Sequence, residues 1–447
     1  MLMPKTAPYG SWKSPITSDL IAAQSISLSE PRLDGELVYW LEGRPQELGR
    51  YVVVRANSLG GHRTDVIPKP YNARTRVHEY GGASWMVADG AVYFSDFADG
   101  RLYCQRNGAP HPLTPEPAVR ERHWRFADGV IDRQPAREPG RVLVGGHDFF
   151  ASPRLSPDGR WLIWLAWDHP NMPWNGTTLY LSCLDEAGNV TELLSIAGSM
   201  SESVFQPEWS ADGRAIFFVS DRSNWWNLYR FDLASRTSEP LAPMAAEFGV
   251  PLWRLGASTY GCAGPDRIVC TYSRAGLGLL AVLDLKDKAL RPFETPFTEF
   301  SFVRADGNGA VFRAGASNHP ASIVMLDLTS GAYRVLKKET ELLDQSELGI
   351  ANYLSTVKSI EFSTSNGNSA YGLFYPPHNP DYVGLANERP PLVVKCHGGP
   401  TASASSVLDL TTQFWTSRGI AVLDVNHGGS TGFGALFVNA CTSTGVS

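Results

Sequence analysis

Apolar runs in this chain are short and evenly spaced. From about Asp34 to Leu326 one theme recurs: a turn bearing Asp-Gly, a run rich in Val, Ile, Leu, Phe, Tyr and Trp, a gap, and a second such run often ending in Asp-Leu. The clearest copies are SPRLSPDGRWLIWLAW followed by TTLYLSCLD, and QPEWSADGRAIFFVSD followed by WNLYRFDL. Their turns at Asp158 and Asp212 lie 54 residues apart. Weaker copies are LDGELVYWLEG, ADGAVYFSDFADGRLYC, PDRIVCTYS with LLAVLDL, and ADGNGAVFRAG with ASIVMLDL. Asp-Gly supplies the positive-φ positions that a tight hairpin needs. The runs suit pleated, half-buried surfaces. A period of about 40 to 55 residues with several strands in each unit predicts propeller blades, each burying its face on the next. A β-sandwich array is the alternative, and the regular spacing disfavours it. Turns at Asp34, Asp89, Asp128, Asp158, Asp212, Asp266 and Asp306 predict about seven blades. The third is shortened, because only 30 residues separate Asp128 from Asp158.

After Leu326 the pattern changes. LKKETELLDQSELG reads as a charged, helical connector, and SIEFSTSNGNSAYGLFYPP as a hairpin turning at Asn366-Gly367-Asn368. PPLVVKCHGGP places a short apolar strand, Leu392 to Cys396, before a glycine turn. A helix is expected over roughly Ala404 to Arg418, with Leu410 and Phe414 on one side and Gly419 just past its end. IAVLDVN is the next apolar strand. Strand, helix and strand with continuous apolar strands predict a parallel sheet covered on both faces. The expected architecture is therefore a multidomain chain. It has a β-propeller over 1–335, a connector over 336–357, and over 358–447 the N-terminal part of an α/β domain.

Composition narrows the function. The net charge of −6 is dispersed, with no basic run, so neither nucleic acid nor an anionic membrane is expected as a partner. Cys104, Cys183, Cys262, Cys270, Cys396 and Cys441 show no C-x-x-C pair and indicate neither a disulfide framework nor zinc. The ten His form no H-E-x-x-H and no cluster at ligand spacing, and P-loop and dinucleotide fingerprints are absent. No metal or cofactor is expected. The N-terminal stretch lacks an apolar signal core and no run reaches membrane-spanning length, so a cytoplasmic location is expected. Asn175-Gly176-Thr177 is read as a turn.

Gly428-Gly429-Ser430-Thr431-Gly432 matches G-x-S-x-G, the turn that presents a nucleophile in α/β-hydrolases. A serine needs a base, and in that fold the acid and His follow the Ser. The residues after Ser430 contain no Asp, Glu or His. Ser430 is therefore read as a loop serine. His397-Gly398-Gly399-Pro400 is more telling. It follows the first parallel strand, where backbone N–H groups stabilise the oxyanion of acyl transfer, although a plain strand-to-helix connection fits the same residues. Trp174, Trp225 and Trp226, in DHPNMPWNGT and DRSNWWNLY, are candidates to face a substrate tunnel, or else are buried in hairpin loops.

Several stretches carry a resemblance: YGSWKSPIT, RVHEYGG, PRLSPDGRWLIWLAWDHPNMPWNGT, FQPEWSADG, FFVSDRSNWWNLY, CHGGPTA and QFWTSRGIAVLDVNHGGSTGFG. From about Tyr9 to Gly434 the chain resembles the prolyl oligopeptidase family of serine peptidases, in its dipeptidyl-peptidase and acylaminoacyl-peptidase-like branch. The resemblance implies a propeller capping an α/β-hydrolase domain, and cleavage of short peptides through a Ser-Asp-His triad. It makes His397, Gly398, Gly399 and Pro400 the oxyanion loop. Asn426 to Gly434 becomes a loop preceding the nucleophile, with His427 and Gly428 where the family carries Tyr and Arg. The family's nucleophile, Asp and His lie beyond Gly434, so no catalytic residue is expected in this chain and activity is expected to be absent as written. A propeller module that binds peptides or proteins beside a vestigial hydrolase segment is the alternative. A separate polypeptide restoring the missing half is a third reading.

Without the nucleophile-bearing strand, Leu392 to Cys396 is expected to be an open apolar edge, which offers a route to self-association and exposes the segment after about residue 350 to proteolysis. The tail ALFVNACTSTGVS departs from the charged helix that the family carries here. Allowed codons for it, read one base earlier, spell Arg-Ala-Leu-Arg-Glu-Arg-Leu-His-Glu-His-Trp-Gly-Val, which is such a helix. A one-base frameshift is thus expected just past codon 434. Resequencing the locus checks this, and an unrelated codon string there overturns it.

Overall fold

The computed structural model describes all residues except 1–2, 24, 117–123, 135–139, 308, 345–348, 365–366, 400 and 441–447. Among the described residues, six antiparallel four-stranded sheets follow one another along the chain, each a simple meander. They begin at Ser27–Asp34, Trp85–Ala88, Phe149–Leu155, Val204–Trp209, Tyr260–Cys262 and Glu299–Asp306. Their first hairpins turn at the expected positions. Asp89 and Gly90 both take positive φ there (51° and 74°), the conformation that two-residue hairpins favour.

Neighbouring sheets pack face to face. Tyr39, Leu41 and Val53 of the first meet Trp85, Val92 and Phe94 of the second. Ile163 and Leu165 of the third meet Ile216 and Phe218 of the fourth. Phe217 and Val219 of the fourth meet Ile268 and Cys270 of the fifth, and Val269 and Leu280 of the fifth meet Phe312 and Val324 of the sixth. The ring closes where Trp40, Val52 and Val54 of the first sheet pack on Val311 and Ile323 of the sixth. No strand is exchanged across that seam. Closure rests on apolar burial, about 1.5–3 kcal/mol for each large side chain.

The first strands line the axis, and four of the six share one irregularity. Register shifts fall between Ser29 and Arg32, Ala151 and Arg154, Phe205 and Glu208, and Ser301 and Arg304. Each bulge holds a non-glycine residue at positive φ: Glu30, Ser152, Gln206 and Phe302. Bulges of this kind re-aim side chains. Gln206 accepts from Thr259 N (2.7 Å) and donates to Tyr260 O (2.7 Å), and Tyr260 Oη donates to Gln206 O (2.6 Å). Glu30 Oε1 accepts from Ala83 N (3.1 Å) in the same fashion. Adjacent sheets are thereby tied at the axis.

The shortened third blade departs from expectation. Residues 124–134 form no strand. Asp128 nevertheless occupies the place of an inner strand. Its φ is 51°, its N–H donates to Ala83 O (2.9 Å), and its carboxylate accepts from Ser152 N (2.8 Å) and Arg154 Nη1 (3.1 Å). One residue bridges the second and third sheets where a blade would stand. With only 30 residues between turns, the chain has no length for four strands there.

The C-terminal part is a mixed four-stranded sheet in the order Lys358–Ser363, Ser369–Tyr375, Ala421–Asn426, Leu392–Cys396. The hairpin is as expected, with Asn366 outside the described residues. The last two strands pair in parallel, Leu392 with Ala421 through Cys396 with Val425. Three expectations are corrected. The helix spans Leu410–Thr416 and starts later than Ala404, because Asp409 caps it by accepting from Thr411 N and Thr412 N. In place of a helical connector, the outer strand Tyr333–Lys338 of the sixth sheet continues into two 3-10 turns, Leu342–Asp344 and Ile350–Tyr353. The first residues also leave the expected 1–335 unit: Lys5–Thr6 pairs in parallel with Tyr382–Val383, and Ile16 packs with Ile350, Leu354 and Phe414. Leu392–Cys396 is the sheet's edge among the described residues, with Leu392 and Val394 about half exposed.

Replacing Gln206 by Ala strands Thr259 N–H and Tyr260 C=O in a buried setting. We expect a loss of about 2–4 kcal/mol, at the roughly 1–3 kcal/mol typical for each orphaned buried group, read as a lower urea midpoint at unchanged slope.

Candidate functional site

The parallel strand Leu392–Cys396 delivers His397 to its C-terminal end, beside the turn that follows Ala421–Asn426. Gly398 and Gly399 lie exposed beyond it, and Gly399 has φ 58°, which favours glycine. Pro400 lies outside the described residues. His397 Nε2 is 2.7 Å from Ser430 Oγ, and the His427 ring stacks on His397 with centroids 4.7 Å apart. His397 Nδ1 faces Gly398 O at 3.3 Å and so carries the hydrogen, which makes Nε2 the acceptor and Ser430 the donor. Burial, with His427 beside it, holds His397 below the usual imidazole range and keeps it neutral.

A base therefore stands next to Ser430, which spacing along the chain did not reveal, because 33 residues separate the two. The pair still lacks what a nucleophile needs. Ser430 is fully buried. Its backbone is absent from the residues at positive φ. His397 Nδ1 has a carbonyl beside it in place of an orienting carboxylate, and Asp424 binds Lys395 instead (3.0 Å). The bond ties the glycine turn to the Asn426–Gly434 loop. That loop is fixed further by Thr431 N donating to Ala402 O (2.8 Å) and Ala404 N donating to Asn426 Oδ1 (2.8 Å).

The same loop meets the propeller. Gly434 N donates to Glu247 Oε1 (2.7 Å), and Trp226 N donates to Glu247 Oε2 (2.8 Å). Ala435 N and Leu436 N donate to Asn224 O (2.7 Å) and Oδ1 (2.9 Å). Glu299 accepts from Ser405 Oγ (2.7 Å) and Ser406 N (3.0 Å). Two propeller carboxylates thus grip two segments of the C-terminal part. Between them opens a cleft of about 250 Å³, lined from the propeller by Thr259, Tyr272 and Phe300 and from the other side by Ser403, Thr431 and Gly432. A smaller cavity of about 20 Å³ beside it is lined by Trp174, Trp226, Asp221 and Glu247. Trp174 and Trp226 are buried there. Trp174 packs on Trp253 at 4.3 Å, and Trp253 Nε1 donates to Thr401 O (2.7 Å). Trp225 is half-buried and lines neither space. The acids were invisible to sequence reasoning because no motif marks them. Among the described residues, no three His, Cys, Asp or Glu come together as metal ligands, and no helix is long and apolar enough to cross a membrane.

Burial pushes the Glu247 carboxyl up to about 7, against the two N–H donors that favour its charged form, with Asp221 adding repulsion. Burial likewise raises Asp221 to about 6. A carboxyl raised in the folded state stabilises it most below its ordinary value of 4.5, and that contribution is lost as pH rises through about 7. The melting temperature should fall between pH 5 and 8, and Glu247→Gln should flatten that fall. An unchanged slope in the variant counts against this assignment.

Comparison with known proteins places the whole arrangement. A puromycin-hydrolysing peptidase of Mycobacterium tuberculosis superposes with a TM-score of 0.86 at 36% identity, covering 97% of this chain and 71% of that one. A second puromycin hydrolase gives 0.85 at 34% identity with the same coverage. A stretch of 57 residues is 49% identical to dipeptidyl aminopeptidase BIII of Pseudoxanthomonas mexicana, spanning 13% of this chain and 8% of that protein's length. No family model matches the chain.

Proposed function

The chain belongs to the prolyl oligopeptidase family of peptidases, and from that premise we propose that it derives from a serine peptidase acting on short peptides through an acyl-enzyme. The likeness over nearly its whole length to peptidases that hydrolyse puromycin carries the proposal. In this reading, residues 358–447 are the first part of an α/β-hydrolase domain, the propeller caps it, and the cleft between them admits the peptide. His397, Gly398, Gly399 and Pro400 form the oxyanion loop. A backbone N–H at its tip would donate to the carbonyl oxygen as negative charge develops there.

The nucleophile, its base and its acid are not among these residues in this reading. Ser430 serves instead as a brace. Its hydroxyl holds His397, and through it the start of the glycine turn. As it stands, the chain acylates nothing. A second reading is a module that binds peptides without cleaving them, in the cleft of about 250 Å³ between the propeller and the C-terminal part. Trp174 and Trp226 would then shape the wall of that site without touching the ligand. No cofactor is required by either reading, and a cytoplasmic location and self-association through the Leu392–Cys396 edge remain part of the proposal.

A fluorophosphonate probe tests it. The purified chain should not label, and Ser430→Ala should behave like the parent. Labelling that disappears in Ser430→Ala would overturn the brace role and with it the absence of a nucleophile. A puromycin titration without labelling separates the readings: saturable binding favours the module.

A further inference from the structure

Every inner-strand bulge aims a long polar side chain at the propeller axis two residues after its positive-φ position. These side chains are Arg32, Arg154, Glu208 and Arg304. Glu30 and Asp128 add two carboxyls beside them. The side chains of Arg154, Glu208 and Arg304 keep between 18% and 26% of their surface exposed, and Arg32 is also partly exposed, so the shaft between them is reachable. One inner strand joins the axis to the interdomain cleft. Phe300 and Ser301 line that cleft, and Arg304 lies three residues further along the same strand, about 10 Å deeper at strand rise.

The charges are not evenly matched. Arg154 is satisfied by Asp128 (3.1 Å), Glu208 (3.4 Å) and Pro153 O (2.7 Å). Arg304 has Gly256 O (3.3 Å) and Glu208 at 4.0 Å. The Arg32 guanidinium makes no hydrogen bond or ion pair among the described residues, although the Glu30 carboxyl acts on it at longer range. The guanidinium sits over the Trp85 ring at 5.2 Å, and its Nε is sealed without a partner. Three further buried groups around it are equally unpartnered. They are Tyr39 Oη, cross-strand from Arg32, then Trp85 Nε1, and Glu30 Oε2. Tyr39 and Trp85 are 0% and 2% exposed. Three of these four orphans are donors. Arg254 adds a fourth positive charge, acting on Glu30, so four arginines, Arg32, Arg154, Arg254 and Arg304, face three carboxyls, Glu30, Asp128 and Glu208, and burial further disfavours the charged form of Glu30. A positive, low-dielectric passage concentrates anions.

We propose that the propeller shaft contains a carboxylate-binding site centred on Arg32. The planar guanidinium fork matches the two oxygens of a carboxylate. Arg154 and Arg304 supply the surrounding field, and the ligand enters from the interdomain cleft. The carboxylate comes either from a free acid or from the C-terminus of a short peptide. The site does not depend on the missing triad.

The test uses the full chain and trifluoroacetate, read by its ¹⁹F line width at constant ionic strength. The wild-type chain should broaden the line saturably, and acetate should compete. Arg32→Met should abolish broadening while melting at or above the wild-type temperature in acetate-free buffer, because an unpartnered charge has been removed. Arg32→Lys, which keeps the charge and loses the fork, should weaken binding by roughly tenfold, the reach of one charge-assisted hydrogen bond. Competition by Gly-Gly but not by its C-terminal amide identifies a peptide terminus as the source; competition by acetate alone identifies a free acid. No broadening by the wild type, or equal broadening by Arg32→Met, overturns the proposal. If Arg32→Met fails to fold, Arg32→Lys decides alone: binding equal to wild type rejects the site.

Discussion

A four-stranded antiparallel sheet with two apolar faces cannot stand alone in water, and this constraint organises the molecule. Four of the six sheets bury both faces by packing on neighbours, and the second and third each bury one face this way and flank the gap that Asp128 bridges, so the sheets must close on themselves. They do so without exchanging a strand. The seam holds because Trp40, Val52 and Val54 find Val311 and Ile323, and because the axis is tied by side chains at strained bulges. Gln206 reaching Thr259 and Tyr260 is the clearest case. Non-glycine residues at positive φ are costly, and they persist where the surroundings over-determine them. Here the hydrogen bonds between adjacent sheets do so.

The missing blade shows how little the ring needs at one position. Asp128 keeps the backbone conformation of an inner-strand bulge and three hydrogen bonds to its neighbours, while residues 124–134 around it form no strand. The charged axis depends on that residue, since Arg154 draws on its carboxylate. The inner strand that carries Arg304 also carries Phe300 and Ser301, which line the interdomain cleft, and Glu247 and Glu299 hold the C-terminal segments across it. Fold and site are therefore coupled through the inner strands. The outer strands make none of these contacts.

The turn after Cys396 and the loop after Asn426 touch through His397 and Ser430, and the loop is braced by the propeller. A hydroxyl beside an imidazole looks like the beginning of a catalytic pair. Full burial of the serine and the lack of a carboxylate behind the imidazole support the structural role proposed for it. Proximity of the right groups is not sufficient for nucleophilic chemistry; access and orientation decide it.

Much of this was legible in the sequence. Alternating apolar runs and Asp-Gly turns encode strands and hairpins locally, so six of the seven expected units could be read directly, while the expected short third blade is replaced by the bridging residue Asp128 and forms no strand among the described residues. The parallel strand Leu392–Cys396 and the glycine turn behind it were legible for the same reason. The helix start was not, because Asp409 overrides the propensity of Ala404 to Val407, and a cap shows its effect only through the backbone it holds. The tertiary structure alone decided which distant residues meet: His397 with Ser430, Glu247 with Gly434, Lys5 with Tyr382, Arg32 with the Trp85 ring. Those pairings depend on how sheets stack around an axis, a long-range packing outcome that leaves no periodicity in the chain. The sequence determined the elements, because local backbone preference and side-chain alternation are properties of neighbours. The structure determined the site, because burial, charge imbalance and contact are properties of the closed ring.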